Sequence, residues 1–199
     1  MTEPTPAGYD ERSALVVVDV QNDFAHPEGS LHVPGGEDVV WAVNREIERA
    51  KSAGALVAYT QDWHPESTPH FAKDGGVWPT HCVQDTWGAQ FHAGLVVGGP
   101  VVQKGTGGED GYSGFSVRDP ESGEEAPTAL ERILREHGVE RVVVVGLAQD
   151  VCVKETVLDA RRLGFDTVVV RDATAAVNLD PGDGERALEA MDAAGARLA

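Results

Sequence analysis

The stretch RVVVVGLAQDVCV, Arg141 to Val153, decides the fold. Its first half sets four valines in a row, with no polar residue to face water. A strand with one wet face alternates, whereas an unbroken apolar run marks a strand covered on both faces, as in a parallel sheet. Gly146 ends the run. Val153, Val157, Ala160 and Leu163 then recur at helical spacing until Gly164 closes the helix. A buried strand feeding directly into a helix is half of a β-α-β unit.

The same pattern extends in both directions. ALVVVDV (Ala14 to Val20) is a first such strand, followed by a helix that carries Val40, Val43, Ile47 and Ala50 and ends at Gly54. ALVAYT (Ala55 to Thr60) reads as the second strand and PVVQK (Pro100 to Lys104) as the third. Leu130, Ile133, Leu134 and His137 share a helical face before the fourth strand, Arg141 to Gly146. TVVVRD (Thr167 to Asp172) is the fifth, Leu188 and Met191 mark the last helix, and the terminal GARLA begins a sixth strand. Right-handed crossovers then predict a three-layer, doubly wound (Rossmann-like) α/β fold with a mainly parallel sheet of about six strands. No repeat or linker divides the chain. Residues 1–199 read as a single domain, with 1–12 as a flexible lead-in and 61–100 as a long irregular insertion.

Length and charge narrow the function. A chain of 199 residues can bury a full core. Net charge is −17, which repels nucleic acid and anionic lipid, so neither is expected as a partner. No run approaches the roughly 20 apolar residues that span a bilayer. MTEPTPAGYDERS at the start lacks the basic and apolar regions of a secretory signal, which predicts a cytoplasmic protein. Two cysteines, Cys82 and Cys152, make no disulfide framework. The composition leaves a homo-oligomer open.

Doubly wound sheets bind ligands beyond the carboxyl ends of their strands. Strand one ends on Asp19, followed by Gln21, Asn22, Asp23 and Phe24; strand two runs into Asp62, Trp63 and His64. Strand three ends on Lys104, strand four leads to Cys152, and strand five ends on Asp172. Cys152 lies where a helix begins, a position that favours thiolate and offers free N–H groups to an oxyanion. Position alone equally admits a cysteine that packs helix on sheet. Asp19, desolvated at the end of an apolar strand, suits a proton acceptor, and Lys104 suits its partner. As a set, Cys152, Asp19 and Lys104 make a nucleophile, a base and an orienting cation.

Asp62 and His64, two apart, face one side of an extended segment, and His70 and His81 follow. Four nitrogen and oxygen donors without thiolate suit one divalent ion, Zn²⁺, Fe²⁺ or Mn²⁺, with open positions. Histidines also cluster in loops that hold no metal. His92 reads as a plain loop residue and Cys82 as a small buried hydrophobe. The loop GTGGEDGYSG, Gly105 to Gly114, matches no phosphate-binding pattern and reads as a flexible pocket rim.

Taken together, DVQNDF (Asp19 to Phe24), DWHP (Asp62 to Pro65), WPTHCV (Trp78 to Val83), QKGT (Gln103 to Thr106), YSGF (Tyr112 to Phe115) and GLAQDVCV (Gly146 to Val153) resemble a known family. It is the nicotinamidase/pyrazinamidase branch of the isochorismatase-like cysteine hydrolases. The resemblance implies hydrolysis of nicotinamide, and of pyrazinamide as a surrogate, to the acid and ammonia through a Cys152 thioester, feeding NAD salvage. It implies Asp19 as proton carrier, Lys104 as its support, and an oxyanion hole from the Ala148 and Cys152 N–H groups shaped by a cis Leu147–Ala148 peptide. It implies a metal on Asp62, His64 and His81, with His70 as a fourth ligand, that positions the substrate ring between Phe24, Trp78 and Tyr112. Gln149 and Val151 depart from the Thr or Ser and the aromatic that many members carry, which bears on pocket size and on the oxyanion hole. Two other readings compete: a sister amidase for another small amide or ureido compound, and a non-catalytic module that binds a nucleotide or a partner. The second requires an inert Cys152 and no metal.

Overall fold

The computed structural model of the chain describes residues 7–199. A six-stranded sheet forms from β1 (Ser13–Val18), β2 (Leu56–Asp62), β3 (Val101–Lys104), β6 (Arg141–Leu147), β7 (Asp166–Ala175) and β8 (Arg197–Leu198). The strand order is β3-β2-β1-β6-β7-β8, with each neighbouring pair parallel. The valine run therefore lies at the centre: Ala14 to Val17 of β1 align with Val142 to Val145 of β6.

The two faces divide the apolar residues by parity, as a period of two demands. Leu15, Val17, Val57, Tyr59, Val143 and Val145 point to one side, where Val39, Val40, Val43, Ile47 and Ala50 of α2 (Gly36–Ser52) cover them. Ala14, Val16, Val18, Val142 and Val144 point to the other side. There Leu130 and Leu134 of α3 (Leu130–Glu136), Val157 and Ala160 of α4 (Lys154–Arg162), and Ala187 and Met191 of α5 (Asp183–Ala193) close over them. Burying each such side chain is worth about 1.5–3 kcal/mol, which is why an all-valine strand is stable only in the middle layer. Helix α2 carries Glu37 and Asp38 in its first turn and Arg49 and Lys51 in its last, complementing the helix dipole.

Several boundaries differ from the sequence reading. β1 stops at Val18, because Asp19 takes a left-handed conformation (φ 47°) that breaks the ladder. β7 runs to Ala175 across a register shift opposite Val144–Gly146, so Asp172 is exposed in mid-strand and does not join the acids at the sheet edge. Gly146 accommodates that irregularity at φ 113°; a Cβ there would lie 2.1 Å from the Val18 carbonyl oxygen. Between β6 and α4 the chain makes a π-helical turn, Gln149–Val153, with Cys152 inside it. A short antiparallel hairpin, β4 (Ser116–Arg118) with β5 (Glu125–Pro127), has no counterpart in the sequence reading, since three-residue exposed strands carry no periodicity.

The expected flexible lead-in, 1–12, falls partly outside the described residues. From Ala7 the chain is tied down: Ala7 is buried, and the Tyr9 hydroxyl donates to Glu46 at 2.8 Å. The segment 61–100 is mostly irregular, holding one 3₁₀ turn (Ala72–Asp74) and the short pairings of His64 with Val83 and Phe71 with Trp78. Among the described residues, no helix is long and apolar enough to cross a membrane.

Candidate active site

Asp19, Lys104 and Cys152 meet at the carboxyl edge of β1, β3 and β6. Lys104, fully buried, places its Nζ 2.7 Å from Asp19 Oδ2 and 3.8 Å from Cys152 Sγ. It also contacts Asp62 Oδ1 and the Gly111 carbonyl oxygen. Thr60 Oγ1 donates to Asp19 Oδ1 at 2.7 Å. Sγ of Cys152 and one oxygen each of Asp19 and Asp62 lie within 4.8 Å of one another.

The electrostatics follow from one buried cation among three acids. Burial pushes the Asp19 carboxyl above its ordinary value, and Lys104 only partly reverses this. Burial works against a charged Lys104, but Asp19 and Asp62 outweigh it and hold the ammonium charged. For Asp62 burial is likewise opposed, by Lys104 and by the neighbouring His64 and His81 rings, which hold it well below the usual carboxylate range. The Cys152 thiol goes well up through burial, with Lys104 opposing and both carboxylates reinforcing. That direction runs against the one a helix N-terminus alone would give.

The histidine cluster stands beside this set. His64, His70 and His81 are buried, with one ring nitrogen of each within 4.8 Å of the others. Asp62 Oδ2 lies 3.6 Å from His64 Nε2 and 3.8 Å from His81 Nε2. The donor set fits a divalent cation on two grounds. Both nitrogens of His64 are buried without a hydrogen-bond partner, a cost that a metal bond would remove. His81 Nδ1 lies 2.7 Å from the Pro79 carbonyl, which can only accept, so its Nε2 stays free for a metal. The fully buried Phe71 stands against all three rings. Cys82 is buried with its N–H donating to Asp23, outside the cluster, and His92 lies in a loop, both as expected.

A small, partly enclosed cavity opens onto both groups. Phe24, Trp78 and Tyr112 form its aromatic wall, and Trp78 Nε1 donates to the Tyr112 hydroxyl at 2.9 Å. Asp62, His70, His81, Ala148 and Cys152 border it. The Leu147–Ala148 peptide is cis.

A model of the isochorismatase domain matches residues 13–199. The chain belongs to the isochorismatase-like superfamily, on its nicotinamidase/pyrazinamidase branch. The nicotinamidase of Escherichia coli K12 is 40% identical over 93% of this chain and 93% of its own. The pyrazinamidase of Pyrococcus horikoshii, in complex with zinc, is 42% identical with a TM-score of 0.83, over 94% of this chain and 98% of that one. A third relative, PnC1 from L. infantum in complex with nicotinate, is 38% identical with a TM-score of 0.85, over 96% and 94%.

Every residue singled out for catalysis, metal or ring thus lies at or beside one cavity. Among the features of the site that the sequence did not announce are Leu31 and Val177 in its wall, Phe71 behind the histidines, and the Gly111 carbonyl on Lys104. No local pattern announces them, because each arrives from a loop. The two departures from the family pattern separate. Val151 borders the cavity, whereas Gln149 points away, accepting from Thr174 Oγ1 and donating to the Gly184 carbonyl. The loop 105–114 does form the rim, but it is held at several points: Thr68 Oγ1 donates to the Gly108 carbonyl, and Gly105 lies so close to His64 that a Cβ would meet the ring at 2.6 Å.

Proposed function

We propose that the protein hydrolyses nicotinamide to nicotinate and ammonia, with pyrazinamide as a second substrate, as a cytoplasmic step of NAD salvage. The observation that carries this reading is the convergence of a Cys-Asp-Lys set and a histidine cluster, adjacent through Asp62, on one small aromatic cavity. A pyridine ring fits between Phe24, Trp78 and Tyr112 while its carboxamide reaches Cys152.

In this reading, Asp19 takes the proton of the Cys152 thiol as sulfur attacks the amide carbon. The C–S bond forms, and the carbonyl electron pair moves onto oxygen, held by the Ala148 and Cys152 N–H groups. When that pair returns, the C–N bond breaks, and Asp19 gives its proton to the departing nitrogen, which leaves as ammonia. Asp19 then takes a proton from water, whose oxygen attacks the thioester. The C–S bond breaks, the acid is released, and the proton returns to sulfur. Lys104 favours the charged forms of the neighbouring Asp19 and Asp62 carboxylates. Asp62, His64, His70 and His81 are the residues that would hold the metal, Zn²⁺ first by donor set, with Fe²⁺ or Mn²⁺ as alternatives. When bound, the ion supplies a Lewis-acid anchor for the ring nitrogen.

The test is ammonia release from nicotinamide by the wild type beside Cys152→Ala, each supplied with Zn²⁺, Fe²⁺ or Mn²⁺. Release by the wild type and none by the variant is the expected result. No release with any of the ions overturns the substrate assignment and brings forward a sister amidase with its pocket altered at Val151.

A further inference from the structure

Asp110 has no part in the reaction described above, yet its carboxylate reaches the histidine cluster. Oδ1 lies 2.6 Å from His70 Nδ1. A nitrogen this close to an ionised carboxylate must carry the proton, so His70 is left with Nε2 as its free acceptor. Pro79 sets the tautomer of His81 in the same manner through a neutral carbonyl.

The backbone of Asp110 is fixed independently of its side chain. Its N–H donates to the Arg118 carbonyl at 2.8 Å, and Arg118 N–H donates back at 3.0 Å. The hairpin β4–β5 is therefore the mount on which this carboxylate is carried. The next two residues bind other parts of the site: the Gly111 carbonyl accepts from Lys104 Nζ, and the Tyr112 hydroxyl accepts from Trp78. Three consecutive residues thus touch the histidines, the buried lysine and the aromatic wall.

We infer that Asp110 is a positioning residue of the metal site, orienting His70 for metal through its Nδ1–H. The inference rests on the metal reading proposed above. It also gives the hairpin a purpose, since the loop that grips Lys104 and the ring wall is the loop that holds the metal-facing histidine. A carboxylate behind a ligating imidazole fixes its direction and raises its basicity, and losing such a partner weakens metal affinity about 10- to 100-fold.

The experiment measures Zn²⁺ affinity of the full chain by chelator competition, for the wild type, Asp110→Asn and Asp110→Ala. Asp110→Ala should bind Zn²⁺ at least about 10-fold more weakly. Asp110→Asn, whose carbonyl oxygen still accepts from Nδ1–H, should lose less. Metal-free melting temperatures of the three should agree, because the Arg118 pairing survives in each. If Asp110→Ala does not fold, Asp110→Ser, too short to reach His70, takes its place with the same expectation. Wild-type affinity in the alanine or serine variant overturns the inference, as does equal loss in the asparagine variant. A wild type that binds no Zn²⁺ overturns it too. A wild type that binds Zn²⁺ but releases no ammonia from nicotinamide overturns the substrate assignment alone.

Discussion

Cys152 sits among neighbours that pull its proton in opposite directions. Lys104 favours the thiolate, while burial and the carboxylates of Asp19 and Asp62 favour the thiol, and the second group wins. Asp19→Asn removes the acceptor without changing the shape of the site. Its kcat should fall by about 10²–10⁴, with an unchanged circular dichroism spectrum. The sign of the pH dependence follows from the same group. Burial raises the Asp19 carboxyl, so its proton is lost at higher pH than from an ordinary aspartate. The working form is the carboxylate. The acid limb of kcat/KM should therefore rise with pH through a value above the usual aspartate pKa of about 3.9, and a limb at or below that value contradicts the role. Val151 and Gln149, neighbours in sequence, should separate in kinetics. Val151→Phe fills the cavity and should raise KM, whereas Gln149→Ala loses two bonds to α5 and β7 and should cost about 1–2 kcal/mol in urea unfolding with KM unchanged.

At the scale of elements, the π-helical turn Gln149–Val153 is the joint on which the site depends. It positions Cys152 beside the pocket, and Asp150 within it accepts N–H bonds from Val177 at 2.9 Å and Asn178 at 2.7 Å. Those two bonds hold the loop after β7 against the pocket, where Val177 forms part of the wall. Asp150→Ala should lower stability by about 2–4 kcal/mol in denaturant unfolding and raise KM for nicotinamide. An unchanged KM would show that the loop keeps its place without the aspartate. Strands β1, β2 and β6 were legible because their burial on both faces is written into their composition. The turn was not, since an added residue in a helical turn leaves no mark on apolar spacing. Asp150 itself gave no sign, being one more acid beside the thiol until its partners 27 and 28 residues away came into contact.

For the molecule as a whole, a net charge of −17 on 199 residues works against compactness. Screening should relieve it, so the melting temperature should rise as NaCl goes from about 10 mM to about 300 mM, where the screening length is well under 10 Å. The value of kcat/KM for neutral nicotinamide should stay flat over the same range. A parallel fall would mean that long-range fields steer the substrate. The amino-acid sequence alone determined the layered parallel sheet, the edge at which a site could form, and the residue types that carry its chemistry. These are local properties: apolar periodicity, strand-end polarity, and the order of short motifs along the chain. Only the tertiary structure decided that burial outweighs Lys104 at the Cys152 thiol, that Gln149 leaves the pocket while Val151 borders it, and that Asp110 stands behind His70. Each of those depends on which side chains from distant segments share one dry volume, where charges act at full strength and spacing along the chain has no say.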